Sequence, residues 1–584
     1  MHLQREGKVC QAAGSGLILL LLLGLAACAR QEEPSKREKE KEAPGRSADA
    51  RPAYGDALVE GVTGDATTLL PMLATDSLSL EISALLYNGL VKYDRRLALT
   101  GDLARSWEIS ADGLTLTFHL RPGVRWHDGV ALTAEDLLFG YRTITDPRTP
   151  TPYAADFREV RRVEVVDRDT LRVTYHRPFA PGLASWNRLV VLPQHLLEGQ
   201  EVARSSLRRH PVGTGPYRLV EWRPGERIVL AANPHYFEGR PYLGRYIYRI
   251  FPDLVALVRA FQGGEIDLMT LDPAQSPPGV EGPRLPGEGS GPSGRDPLLQ
   301  SLADGGKFPG GLPPGARIYR HPANAYTFLG YNLLDPRFQD RRVRQAISYA
   351  LNRKEIIDAV LQGWGQEATG LYLPGTWAHH PQLPRYAYDP GRAQALLAEA
   401  GWRDTNRDGL LEQERQPFRF TLLTNRDNPV RVRTAQVIQR QLKAVGIAVE
   451  LQVLAWEDLL KELFEQRSFE AVVLGWGIGP DPDQYEIWHS SRIAPLGLNF
   501  VSFAHPEVDA LLEKGQGTFS QEERMGYYRR LQEILAEEQP YAFLFVPEVR
   551  SVVQSRFRGI EPAPTGIRHN LIRWYVPQGL QKYP

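Results

Sequence analysis

Between residues 418 and 474 the sequence changes period four times, and that alternation limits the fold more than any other feature. Segments 418–424, 447–453 and 469–474 are short apolar runs of strand type, and 431–445 and 456–466 between them carry the helical repeat. The succession predicts βα units. Just upstream, Val343, Ala346, Ile347, Ala350 and Leu351 form one helical stripe with Asp340 placed to cap it. Asn352 and Glu355 have the spacing of a capping box that opens a second helix, ending before Gly363. Nearer the start, 114–120 and 170–175 alternate apolar and polar residues with period two. Two α/β lobes, each built on a mixed sheet, follow from this pattern.

One stretch breaks it. Residues 272–315 are dense in Pro and Gly (SPPGVEGPRLPGEGSGPSG, then FPGGLPPG) and lack both periods, so a disordered insertion is expected there. The 584 residues, 42% hydrophobic and 24% charged, suffice for two or three lobes. A net charge of +0 argues against general affinity for nucleic acid or acidic lipid.

At the N-terminus His2, Arg5 and Lys8 precede an apolar run over 17–23, too short for a permanent membrane helix. Leu25-Ala26-Ala27-Cys28 follows and resembles a bacterial lipobox. Residues 1–27 are therefore expected to be a lipoprotein signal peptide, with Cys28 the lipidated residue. Its acyl chains would hold the protein at a membrane surface, each buried methylene contributing about 0.8 kcal/mol. Residues 28–54 are charged and poor in apolar groups, which predicts a disordered tether. The other cysteine, Cys10, lies in the part to be removed, so the mature chain has no internal disulfide and depends on its core.

Several segments, taken in order, resemble the family 5 solute-binding proteins, the dipeptide- and oligopeptide-binding subunits of bacterial ABC transporters. They are Leu70-Pro71, Tyr87-Asn-Gly-Leu-Val-Lys-Tyr93, Leu103-Ala-Arg-Ser-Trp107 and Asp128-Gly129. Gly213-Thr-Gly-Pro-Tyr217, Glu221-Trp222, Ala232-Asn-Pro-His-Tyr236 and FQGGEIDL at 261–268 continue the series. Tyr331-Asn332-Leu333, Arg342-Val-Arg-Gln-Ala346, Gly401-Trp402 and Gly475-Trp476 complete it. The resemblance implies a type II periplasmic-binding-protein-like α/β fold, with two lobes closing over a cleft and an extra subdomain. Residues 55–86, 207–324 and 518–584 are expected in the first lobe, 87–206 in the subdomain and 325–517 in the second lobe. It also implies a monomer that delivers peptides, or another small solute, to ABC permease subunits.

An extended peptide leaving water needs partners for its backbone, and an exposed strand edge supplies them. Gly475, Trp476 and Gly477 directly follow an apolar strand; glycines admit a second backbone, and an indole offers a flat wall. In the family the corresponding strand end pairs with the ligand. By the same resemblance Thr75, Asp76 and Ser77 line the cleft, and Tyr153 reaches a peptide main chain. One departure stands out. Peptide-binding members commonly carry an aspartate three residues after this tryptophan, as partner of the ligand's α-ammonium, and Gly479 occupies that place. Asp481 and Asp483 are the acids left to take the role.

No catalytic or metal chemistry is expected, and no cofactor. Asp404–Glu412 (DTNRDGLLE) begins like a calcium loop, but Arg415 stands where the bidentate glutamate belongs, so a side-chain-bonded turn is expected. The histidines form no H-E-x-x-H, there is no G-x-S-x-G, and Pro216 removes an N–H that a phosphate cradle at Gly213-Thr-Gly would use. Competing functions are the same role for an oligosaccharide or metal chelate, or a surface lipoprotein acting as a chaperone or signalling receptor.

Overall fold

A computed structural model describes residues 51–187, 191–272 and 312–583. The expected signal peptide, Cys28, nearly all of the tether and most of the 272–315 insertion lie outside the described residues.

Twelve strands form one sheet: β1 (Ala57–Val62), β2 (Tyr217–Arg223), β3 (Arg227–Ala232), β4 (Arg245–Ile250), β5 (Leu268–Leu271), β6 (Arg317–Pro322), β7 (Ala325–Tyr331), β8 (Gly365–Glu367), β9 (Arg419–Asn425), β10 (Ala448–Leu454), β11 (Ala471–Gly477) and β12 (Tyr541–Val553). Their order is β10-β9-β11-β7-β12-β5-β1-β4-β3-β2, with β6 and β8 also paired to β12. The sheet has two halves because β12 changes partners along its 13 residues. Tyr541 to Phe545 pair with β7 and Phe545 to Pro547 with β8; Arg550 to Val553 pair with β5 and Glu548 to Val553 with β6. Pro547, which cannot donate to a ladder, sits where the partners change.

Both halves are covered on both faces, as mixed α/β sheets require. Neighbouring residues alternate between cores: Leu58, Leu268 and Val553 enter one, Val59, Met269 and Val552 another. In the other half Leu329, Ala542 and Leu544 face one core, while Phe328, Tyr541 and Phe543 face a second, largely aromatic one. Within 87–206 a separate antiparallel sheet runs Ala104–Ile109, Thr115–Leu120, Thr170–Tyr175, Val160–Asp167, and its buried side packs on Trp186.

Helix starts follow their caps. Asp340 accepts the Arg342 N–H at 2.8 Å, and Asn352 accepts the Glu355 N–H at 3.0 Å. The Glu355 carboxylate does not return to its cap, as a full capping box would have it; it binds Arg440 and Gln441. The expected helix over 456–466 is α-helical only to Leu460 and continues as a π-helical turn, Lys461–Gln466. The expected strand 469–474 runs on through Gly477, because β7 extends to Ala325 opposite it.

One placement differs from the sequence-based division. Helices Pro506–Gly517 and Gln521–Glu538 pack on each other, and Tyr528, Leu531, Ile534 and Leu535 enter the aromatic core with Phe328. Residues 521–546 thus sit with the elements of 325–517, not with the first-lobe elements to which 518–584 was assigned.

Candidate functional site

Strands β9 and β10 are parallel, and β9 meets β11 in parallel at just two positions, Leu422 opposite Ala471 and Leu423 opposite Val472. Beyond them the strands fork. The Thr424 hydroxyl donates to the Val473 carbonyl at 3.2 Å across the start of the gap. On its other side β11 remains paired with β7 to the end, and the Ile478 N–H still donates to the Asn324 carbonyl at 2.8 Å. In an antiparallel ladder successive residues turn their N–H and C=O to opposite sides. Ile478 faces β7, so Gly475 and Gly477 face the fork. Their backbone groups form an open strand edge at the carboxyl ends of parallel strands, where ligands of open α/β sheets bind.

Sequence fixes this edge locally. A Cβ on Gly475 would lie 2.9 Å from the Tyr326 carbonyl oxygen, with Arg431 Nη2 at 3.5 Å and Thr327 Oγ1 at 3.7 Å. Trp476 points toward the aromatic core: its indole N–H donates to the Tyr541 hydroxyl at 3.3 Å, and its ring stacks on Phe328 at 6.5 Å. It is half-buried, a wall of the core as much as of the edge.

The second group of candidates lies on the first half of the sheet. Asp76 caps α1 (Ser77–Leu86), accepting from the Ser79 N–H (2.7 Å), the Ser79 hydroxyl and the Thr67 hydroxyl (both 2.6 Å). Burial raises its pKa, but these hydrogen bonds together hold it below the ordinary carboxylate value. Thr75 and Ser77 flank it, exposed. Tyr153 reaches this loop from the subdomain, its hydroxyl donating to the Ala74 carbonyl at 2.7 Å. That bond places Tyr153 next to Thr75 and uses its hydroxyl proton.

Both acids proposed for the amino end are engaged within the protein. Arg524 grips Asp481 in a bidentate pair at 2.8 and 3.0 Å, with side chains 7% and 15% exposed. Burial pulls the Arg524 pKa down, but the Asp481 carboxylate more than reverses this. Asp483 accepts from Gln516 Nε2 at 2.9 Å and from the Tyr485 N–H at 3.2 Å. Burial, reinforced by the negative Asp481, pushes Asp483 up to about 6. Sequence reading missed Arg524, Gln516, Asn425 and Arg431 around these positions. Only Arg431 had a local signal: Asn428-Pro429 opens α2 (Pro429–Lys443) directly after β9, so Arg431 falls in its first turn at the strand's carboxyl end.

The 404–412 loop is a side-chain-bonded turn: Glu412 accepts from the Thr405 and Asn406 N–H groups and the Thr405 hydroxyl, and Asp404 from the Gly409 N–H. Gly213 and Gly215 N–H groups are spent on His127 Nδ1 and the Leu86 carbonyl. Among the described residues no group of three or more His, Cys, Asp or Glu could hold a metal, and no helix is long and apolar enough to cross a membrane.

The chain as a whole matches a set of known proteins. The family model of bacterial extracellular solute-binding proteins, family 5 Middle, matches residues 98–493. The oligopeptide-binding protein AppA of Bacillus subtilis is 32% identical over 536 residues, 90% of this chain and 92% of its own. The solved structure of AppA with a nonapeptide superposes with a TM-score of 0.65 at 30% identity, covering 90% of this chain and all of that one. NikZ of Campylobacter jejuni, solved with Ni(L-His), gives a TM-score of 0.66 at 26% identity, covering 89% and 99%. With an open strand edge at its fork and these matches along nearly its whole length, the chain belongs to the family 5 bacterial extracellular solute-binding proteins.

Proposed function

We propose that this protein captures peptides outside the cytoplasm and delivers them to the permease subunits of an ABC importer. The observation that carries the reading is the free edge of β11 at Gly475 and Gly477, a ready partner for an extended main chain. The description of AppA as oligopeptide-binding, and its nonapeptide complex, support the same class of ligand. The chemistry is binding alone, by a monomer without a cofactor. The two lobes divide at β12: 55–86, 207–272, 312–324 and 548–583 form the first, 87–187 and 191–206 the subdomain upon it, and 325–547 the second. Thr75, Asp76, Ser77 and Tyr153 line the cleft opposite Gly475, Trp476 and Gly477.

Cys28 is the lipid-bearing residue after removal of 1–27, and the tether lets the lobes stand off a membrane surface. Cys28→Ser should release the protein from the membrane fraction, with the size of the product showing whether the leader was cleaved. Ligand identity is tested by mass spectrometry of what purified protein releases on denaturation. Peptides support the proposal. A sugar, or a metal chelate such as the one NikZ was solved with, refutes the peptide assignment while leaving the family intact.

A further inference from the structure

The fork between β9 and β11 contains a cation that has no acidic partner among the described residues. Arg431 projects from the first turn of α2, its Nη1 donates to Asn425 Oδ1 at 3.0 Å, and its Nη2 lies beside Gly475. The guanidinium carbon is 5.9 Å from the ring of Trp456, which is 41% exposed at the start of the next helix. Burial alone lowers the Arg431 pKa, and among the described residues no carboxylate pairs with it. Four more deeply buried arginines have carboxylate or carbonyl partners. Arg556 has Asp56 and Asp267, Arg524 has Asp481, Arg344 has Glu538, and Arg353 donates to three backbone carbonyls. Arg431 has one side-chain amide and an open strand edge.

The acids that would make this end of the cleft cationophilic are spent, Asp481 on Arg524 and Asp483 on Gln516. Position 479 has no side chain. Of the charged groups Asp481, Asp483 and Arg431, it is the cation that is left without a counter-ion among the described residues. A planar guanidinium with free N–H donors matches a carboxylate in a two-point geometry, and a half-buried cation gains most from an anion that arrives with the ligand.

We propose that Arg431 is a specificity-determining residue: it reads a carboxylate on the bound peptide at the β9/β11 fork, and the site does not require a free α-amine. This rests on the peptide reading above. The carboxylate belongs either to the peptide's C-terminus or to an acidic side chain, and the test separates the two.

Immobilised full-length protein is offered mixed nonapeptides, all N-acetylated, in isotopically distinguished pools. One pair has free or amidated C-termini; a second, amidated throughout, carries Glu or Gln at one varied position. Wild type should retain the carboxylate member of one pair over its neutral twin by about tenfold or more, the ratio a charge-assisted hydrogen bond supports. The pair that discriminates names the source. Arg431→Gln should lose that ratio and Arg431→Lys should keep part of it, while matched free-amino peptides, offered to wild type in a further pool, should bind no better than the acetylated ones. Equal retention of charged and neutral peptides by wild type, or a ratio that survives in Arg431→Gln, overturns the inference without touching peptide capture. If neither pool is retained, peptide capture fails, and melting in glutarate decides the inference. A stabilisation over chloride at equal ionic strength that is present in wild type and absent in Arg431→Gln upholds it; no stabilisation of wild type overturns it.

Discussion

Asp481→Asn separates an acid that holds the protein together from one that holds a ligand. Arg524 is nearly buried, and four of its hydrogen bonds are accounted for: Nε to the Gly515 carbonyl (3.0 Å), one each from Nη1 and Nη2 to Asp481, and Nη2 to the Tyr528 hydroxyl (2.9 Å). Asparagine preserves size and one acceptor, but removes the charge and turns its amide donors toward the guanidinium. A buried charge stripped of its partner costs about 3–5 kcal/mol, which is more than a hundredfold in the folding equilibrium. Urea unfolding of ligand-free protein should show that loss as a lower midpoint with an unchanged slope. Removing both partners, Asp481→Asn with Arg524→Met, should recover part of it, since no buried charge is then unpaired. Ligand affinity of the folded variant should stay near that of wild type. If Asp481→Asn were as stable as wild type and bound free-amino peptides a hundredfold more weakly, the Arg524 pair would be incidental and Asp481 would be the ligand's anchor after all.

Gly475→Ala should destabilise the protein by about 1–3 kcal/mol, because the new Cβ meets a backbone carbonyl that cannot swing away; thermal melting measures it. Gly477→Pro deletes an N–H that faces the fork and takes no part in the β7 ladder, so the fold should survive while retention of the natural ligand, followed by calorimetry, is lost. A Cβ on Gly479 meets only the Asp481 carbonyl, at 3.7 Å, so Gly479→Asp should fold normally and bind free-amino peptides better than acetylated ones, a preference wild type lacks. The pKa of Asp483 is raised in the folded state, so the folded protein holds more protons than the unfolded one between about pH 4 and 6, and stability falls as pH rises through that window. Asp483→Asn should remove that part of the slope in unfolding curves taken from pH 4 to 7, leaving the parts due to Asp102 and Glu60, which burial raises to about 6 and about 7.

What was legible in the sequence is what neighbours decide. Asp340 and Asn352 cap the helices they precede because the cap oxygen and the N–H it accepts are two or three residues apart. The βα succession from 418 to 474 reads correctly for the same reason, to within a few residues at each end. The division of the C-terminal segment did not. Nothing within 521–546 says which core Tyr528 or Leu535 will join, and the change of partners at Pro547 depends on strands more than 170 residues away. The fate of Asp481 was equally hidden, because Arg524 comes 43 residues later on a helix whose packing decides the pairing. Gly475 and Gly477 could be picked from sequence as an edge, but which side of the strand is open follows only from where β9 parts from it.

Both acids after the tryptophan are held within the protein, beside a front where the subdomain meets the second half of the sheet. The Gln516 side-chain amide donates to Asp483 and accepts from Arg177 Nη2 at 2.9 Å, and its backbone carbonyl accepts the Ala180 N–H at 2.6 Å. Arg158 and Glu486 approach to 3.7 Å on the same front between the subdomain and the second half of the sheet. Except for Phe519, which lies beside Gly113, these contacts are polar, and water can replace them when they part. A cleft that opens and closes needs such a seam, because an apolar one would hold it shut. Arg524 and Asp481, buried behind Gln516 and fixed to the Gly515 carbonyl, give the seam a rigid base. With both acids spent there, it is Arg431, on the proposal above, that would set the charge preference of the cleft.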